Sequence, residues 1–99
     1  MEYKIIWQPL AYKTYFQEID YIYLKWNDKE VLKFENLVSS ELNRLRQNPL
    51  IGKFKENRFI LVISKQTSLH YLINNTNFSI EILVFWNNQK NPQELNKLL

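Results

Sequence analysis

The side chains able to hold a phosphate or move a proton are few, and they lie in the second half of the chain. His70 is the only imidazole. Arg58 and Lys65 flank an aliphatic run, Tyr71 follows His70 directly, and Lys90 stands near the C-terminus. Together Arg58, Lys65, His70, Tyr71 and Lys90 could cleave RNA without a metal. Cations would hold the scissile phosphate, and an acid or base would handle the 2′-hydroxyl proton. The competing reading is structural. It makes Arg58 and Lys65 solvated strand ends, Lys90 a solvated tail charge, Tyr71 a core residue and His70 an ordinary strand histidine.

Other chemistries find less support. There is no cysteine, so disulfides and thiolate-based metal sites are excluded, and a single histidine excludes most all-imidazole zinc sites. No metal or other cofactor is expected. One glycine in the whole chain excludes glycine-rich phosphate loops. A Ser–His–carboxylate triad would need a strand-turn nucleophile pattern, which is absent. The carboxylates Glu18, Asp20, Glu30, Glu35 and Glu41 fall on helical segments, where solvent-facing positions explain them. Tyr12, Tyr15, Phe16, Tyr23 and Trp26 could stack on bases, but their helical spacing reads as core.

The elements that must position these residues follow from a change of period. Lys4 to Trp7 reads as a first strand. Pro9 suits the first turn of a helix, where a missing N–H costs nothing. Tyr12, Tyr15, Phe16, Ile19, Ile22, Tyr23 and Trp26 then recur at steps of three and four, predicting one buried face. Asn27-Asp28 breaks this helix and offers a cap for the next, with Glu30 placed for a capping box. Val31, Phe34, Val38, Leu42 and Leu45 form the second helical face, and Pro49 ends it. A connection this short makes the two helices an antiparallel hairpin.

Beyond Gly52 the pattern changes. Lys53–Asn57 reads as a polar loop. Arg58–Ser64, Thr67–Asn74 and Phe78–Trp86 read as strands of an antiparallel meander. Asn91-Pro92 caps one short final helix. The expected class is α+β, in the order β-α-α-β-β-β, with a helical hairpin on an antiparallel sheet and the first strand pairing antiparallel with a later one. Phe59, Leu61, Ile63, Leu69, Tyr71, Ile73, Ile80, Ile82 and Val84 should face the hairpin. Ile60, Val62, Leu72, Leu83 and Phe85 then lie on the other side, and a second apolar side implies a second cover. The final helix or a partner protein would provide it.

The chain has 99 residues, enough for one domain with a packed core, since 45% of it is hydrophobic. A net charge of +3 and a pI near 9.2 suit an anionic partner, and also suit plain solubility. The N-terminal apolar run is too short for a signal peptide, and no segment is long enough to span a membrane, so a soluble intracellular protein is expected.

Four stretches stand out in order: Ile5-Ile6-Trp7-Gln8-Pro9-Leu10-Ala11, then Ile19-Asp20-Tyr21-Ile22 with Trp26 and Phe34, then an "NP-x-x-G" junction within Leu45 to Gly52, and last a strand followed by a basic residue and "NP" from Ile82 to Pro92. Over nearly the whole chain they resemble the RelE/ParE toxins of bacterial type II toxin–antitoxin systems, and the ParE branch in particular. The resemblance implies a cytoplasmic toxin, alone a monomer or a dimer, neutralised by a small antitoxin. The antitoxin would cover Ile60, Val62, Leu72, Leu83 and Phe85, or the helical hairpin. ParE-like members inhibit DNA gyrase by binding, which would make Trp86, Lys90 and Pro92 the target contact and the protein no enzyme. The alternative is a RelE-like, ribosome-dependent mRNA endonuclease using Arg58, Lys65, His70, Tyr71 and Lys90. Trp86-Asn87-Asn88 stands where ribonuclease-like members carry His or Tyr, which favours the gyrase expectation.

Overall fold

The computed structural model describes residues 2–99. Its elements are β1 (Lys4–Trp7), α1 (Pro9–Lys25), α2 (Asp28–Gln47), a 3-10 turn at Pro49–Ile51, β2 (Lys53–Lys55), β3 (Arg58–Val62), β4 (Thr67–Asn74), β5 (Ser79–Asn87) and α3 (Pro92–Leu98). Pro9 opens α1, and the Asn27 side chain caps α2 by accepting from the Glu30 amide at 3.0 Å. Asn91 does the same for α3, accepting from Gln93. The α+β class, the hairpin and the short C-terminal helix agree with the sequence reading.

Two features depart from it. Lys53–Lys55 is a strand, joined to β3 by Glu56 and Asn57, both at positive φ. That is the backbone of a two-residue primed hairpin turn. The extra strand reverses the chain once more, so β5 runs parallel to β1, pairing Ile5 with Ile80 and Trp7 with Ile82. The sheet is therefore mixed, in the order β1-β5-β4-β3-β2, and the expected antiparallel pairing of the first strand is not what forms.

The second departure is a bulge. His70 lies opposite Val84 and Tyr71 opposite Ile82, which leaves Leu83 as an extra residue on β5. One unpaired residue inverts the side-chain phase beyond it. Ile80 and Ile82 face the hairpin as expected. Phe85 faces it too and is only 2% exposed, whereas Val84 and Trp86 turn to the opposite face and pack with Leu95 of α3. The shift is anchored across the sheet edge. β1 ends at Trp7, and beyond it the Phe85 amide donates to the Thr14 hydroxyl of α1 at 2.9 Å.

Helix α2 buries Phe34, Val38, Leu42 and Leu45, as its spacing predicts. Helix α1 does not follow its aromatic stripe: its buried residues are Ala11, Thr14, Glu18 and Ile22, and Tyr12, Phe16, Tyr23 and Trp26 stay exposed. The buried polar pair is satisfied across the interface. Thr14 serves Phe85, and Glu18 accepts from the Thr67 hydroxyl at 2.7 Å.

Tyr71 lies in the core, its hydroxyl donating to the Pro49 carbonyl at 2.6 Å and accepting from the Gly52 amide at 3.0 Å. This clamp fixes the α2–β2 junction and leaves no room for a side chain at residue 52. A Cβ there would stand 2.6 Å from the Tyr71 oxygen and 3.1 Å from the Ile60 carbonyl. Gly52→Ala should therefore cost about 1–3 kcal/mol in denaturant unfolding by overpacking. A variant as stable as the parent would show that the clamp is loose.

Candidate functional site

The face of the sheet turned away from the hairpin carries a cleft of about 220 Å³. Its walls come from neighbouring strands. Lys55 on β2 pairs with Arg58 on β3, Ile60 pairs with His70 on β4, and His70 pairs with Val84, two residues before Trp86 on β5. The chain then turns. The Lys90 amide donates to the Asn87 carbonyl at 3.0 Å, and the Asn88 amide donates to Gln66. That turn places Asn88 and Lys90 at the rim, and Pro92 and Leu95 of α3 close the end.

At the centre Arg58 Nε donates to His70 Nδ1 at 2.8 Å, with both residues buried. Arginine is always protonated, so this bond has one sense: Nδ1 accepts, and the neutral ring carries its proton on Nε2. Burial lowers the His70 pKa to about 4, with the Arg58 charge contributing further. At neutral pH the ring is therefore uncharged and its one lone pair is engaged. His70 can donate from Nε2 but is no base. No buried side-chain nitrogen or oxygen among the described residues lacks a partner. Nε2, which has none among the described residues, is therefore not fully shielded from solvent, and His70 lines the cleft.

Because the His70 pKa is lowered on folding, the unfolded chain binds this proton more readily. The associated stability is present in full above the unfolded value of 6.5 and is lost as pH falls towards about 4. At about 1.4 kcal/mol per pH unit the loss should reach roughly 3 kcal/mol. His70→Asn keeps an acceptor for Arg58 and should flatten unfolding free energy against pH in this window. An unchanged slope would contradict the assignment.

The remaining charges gather around this pair. Lys90 Nζ sits 5.5 Å from the Trp86 ring centroid, a cation–π contact that fixes it above the apolar floor. Glu56 is the single carboxylate on the wall, its Oε2 3.3 Å from Arg58 Nη2. The cleft therefore offers Lys55, Arg58 and Lys90 as cations, one neutral imidazole donor and one counter-charge.

Arg58, His70 and Lys90, expected for RNA cleavage, meet here with Trp86, Lys90 and Pro92, expected for target contact. Two expected members are elsewhere. Tyr71 is in the core on the opposite face, and Lys65 borders a separate hollow with Trp26 and Phe34. The five residues expected under an antitoxin are scattered. Ile60 lines the cleft, Val62 is 63% exposed at a strand end, and Leu72 is half-buried. Leu83 packs against the Val84–Trp86–Leu95 cluster, and Phe85 belongs to the hairpin-side core. A run of exposed aromatics lies instead along α1, at Tyr12, Phe16, Tyr23 and Trp26. A groove of about 300 Å³ beside it is lined by Trp7, Tyr15, Val38 and Leu42. Lys55, Glu56 and Asn88 were not legible as site residues. The available signal was the placing of Phe54 and Phe59 about Glu56-Asn57, which marks a hairpin carrying Lys55 and Arg58 on one face.

No family model matches the chain, and no curated protein matches it either. Solved structures do. Three helices on a five-stranded mixed sheet, with a short C-terminal helix, is the fold of RelE-type toxins. An arginine-to-alanine double mutant of the E. coli toxin RelE in the free state superposes with a TM-score of 0.64 and 13% identity, over 98% of this chain and 93% of that one. A chain of the RelBE2 toxin–antitoxin complex from Mycobacterium tuberculosis gives a TM-score of 0.61 at 17% identity, over 88% of this chain and 99% of that one.

Proposed function

We propose that this protein is the toxin of a toxin–antitoxin pair and acts as a ribosome-dependent, RelE-like mRNA endonuclease. The observation that carries the reading is the buried Arg58–His70 pair at the base of a cationic cleft. Arg58, Lys55 and Lys90 hold the scissile phosphate, and the His70 Nε2–H donates to one of its oxygens. The 2′-hydroxyl gives its proton to water as its oxygen attacks phosphorus, and the bond to the 5′-oxygen breaks; that oxygen takes a proton from water, leaving a 2′,3′-cyclic phosphate and a 5′-hydroxyl. The extra negative charge on the phosphorane is what preorganised cations stabilise most. His70 cannot take the 2′-hydroxyl proton at neutral pH, so the cleft contributes charge rather than base catalysis. In-line placement of the 2′-hydroxyl then matters greatly, and the ribosome is the scaffold that would impose it.

Gyrase inhibition has less support. Trp86, the expected anchor, is 6% exposed and forms the floor beneath Lys90 and Leu95, so it does not project as a contact side chain. An antitoxin would cover the aromatic surface of α1 and its groove, where Tyr12, Phe16, Tyr23 and Trp26 stay exposed. A ribosomal target implies the cytoplasm, and no helix among the described residues is long and apolar enough to cross a membrane.

Position within the cleft gives the test. Lys90→Ala should reduce mRNA cleavage on ribosomes by roughly tenfold or more through loss of a phosphate-facing cation. Lys65→Ala, in the separate hollow, should leave it unchanged. Equal losses in the two variants would show that total charge, rather than the cleft, sets the activity.

A further inference from the structure

The β2–β3 turn is built from two residues in left-handed conformations, Glu56 at φ 55° and Asn57 at φ 65°. Asparagine and glycine adopt that region readily, whereas glutamate does so rarely. A side chain held against its backbone preference at the rim of a site invites a search for what it does there. The Glu56 carboxylate lies on Arg58 Nη2 at 3.3 Å, and its carbonyl accepts from Arg58 Nη1 at 3.4 Å. With Nε committed to His70, every nitrogen of the guanidinium has a partner within the protein. The two nitrogens on Glu56 are the pair that would grip a phosphate in bidentate fashion. One of those contacts is with a carboxylate that is half exposed and free to swing into solvent.

We propose that Arg58 Nη1 and Nη2, with Lys55 across the strand pair, form a phosphate subsite that Glu56 occupies in the free protein. An incoming phosphate displaces the carboxylate. Glu56 is thus a built-in competitor. It neutralises Arg58 when no substrate is bound and sets a threshold that isolated anions and short RNAs meet poorly. A long, well-presented polyanion meets it better, because Lys55 and Lys90 add to the pull. The chemical class of ligand is a phosphate mono- or diester. The inference rests on the endonuclease reading and adds the carboxylate that occupies its phosphate position, but anion occupancy does not require cleavage.

The test uses the full chain and measures binding alone. Inorganic phosphate and a non-cleavable 2′-deoxy oligonucleotide are titrated against the parent, Glu56→Gln, Arg58→Ala and the double variant. Glu56→Gln should bind both probes about twofold to fivefold more tightly, the effect of removing one partly exposed competing charge. That gain should vanish in the Arg58→Ala background, where both probes bind weakly. Glu56→Gly, which relieves the backbone as well, should reproduce the gain and so separate charge from any disturbance of the turn. Unchanged or weaker binding by Glu56→Gln would overturn the proposal. So would an equal gain with and without Arg58, since Glu56 would then act only through the general field. Loss of RNA cleavage as a function would leave these binding results standing, and failure here would leave cleavage standing.

Discussion

Arg58→Ala should lower the rate of ribosome-dependent mRNA cleavage by about 10²- to 10³-fold, the usual loss when a preorganised charge facing the transition state is removed. The same change removes the guanidinium that donates to His70 Nδ1 and helps to lower its pKa. The His70 titration, followed by NMR, should therefore move up from about 4 towards its ordinary value, although burial, the larger cause, still holds it below that value. Arg58→Lys is the informative companion. A single ammonium cannot hold the imidazole and present two further nitrogens to a phosphate, so cleavage should stay close to the Ala level. Cleavage restored by Lys would reduce Arg58 to a point charge. An unmoved His70 titration in the Ala variant would separate the two residues in solution.

Phe85→Ala should destabilise the fold by about 3–5 kcal/mol, as for a large buried aromatic. Val62→Ala, at an exposed strand end, should fall within about 0.5 kcal/mol of the parent. Strict alternation along β3 and β5 puts Val62 and Phe85 on the same face, so it predicts similar effects. The bulge at Leu83 separates them. Phe85 packs against Trp7 and Tyr15, with ring centroids 5.1 Å from each, so the loss is shared by β1 and α1. Urea unfolding of the two variants decides the matter, and equal midpoints would contradict the observed register.

The elements were legible because their boundaries carry strong local chemistry. Pro9, Asn27, Pro49 and Asn91 each satisfy or remove a particular backbone donor, and the period changes after Pro49. What was not legible has physical reasons. The β2–β3 turn uses Glu-Asn where Asn-Gly would have announced a hairpin, and missing one strand reversed the expected direction of β1 against β5. The bulge lies in Ile82-Leu83-Val84-Phe85-Trp86, where every residue is apolar. No polar residue marks the change of phase. The buried face of α1 is hidden because Thr14 and Glu18 look solvent-facing, yet both are buried by partners on strands far along the chain. Arg58, His70 and Lys90 were legible as chemistry. That Trp86 and Pro92 border the same cleft was not, because it depends on the bulge and on α3 folding back over β5.

The most direct measurement is a paired assay on the purified chain. A defined mRNA is translated in a reconstituted system with the protein added, and cut sites and end groups are mapped. DNA gyrase supercoiling is followed at the same protein concentrations. Cuts that need ribosomes and leave a 2′,3′-cyclic phosphate, are lost with Arg58→Ala, and accompany untouched supercoiling are the predicted result. Intact mRNA together with inhibited supercoiling, weakened by Lys90→Ala, would contradict it and make the cleft a protein-docking surface.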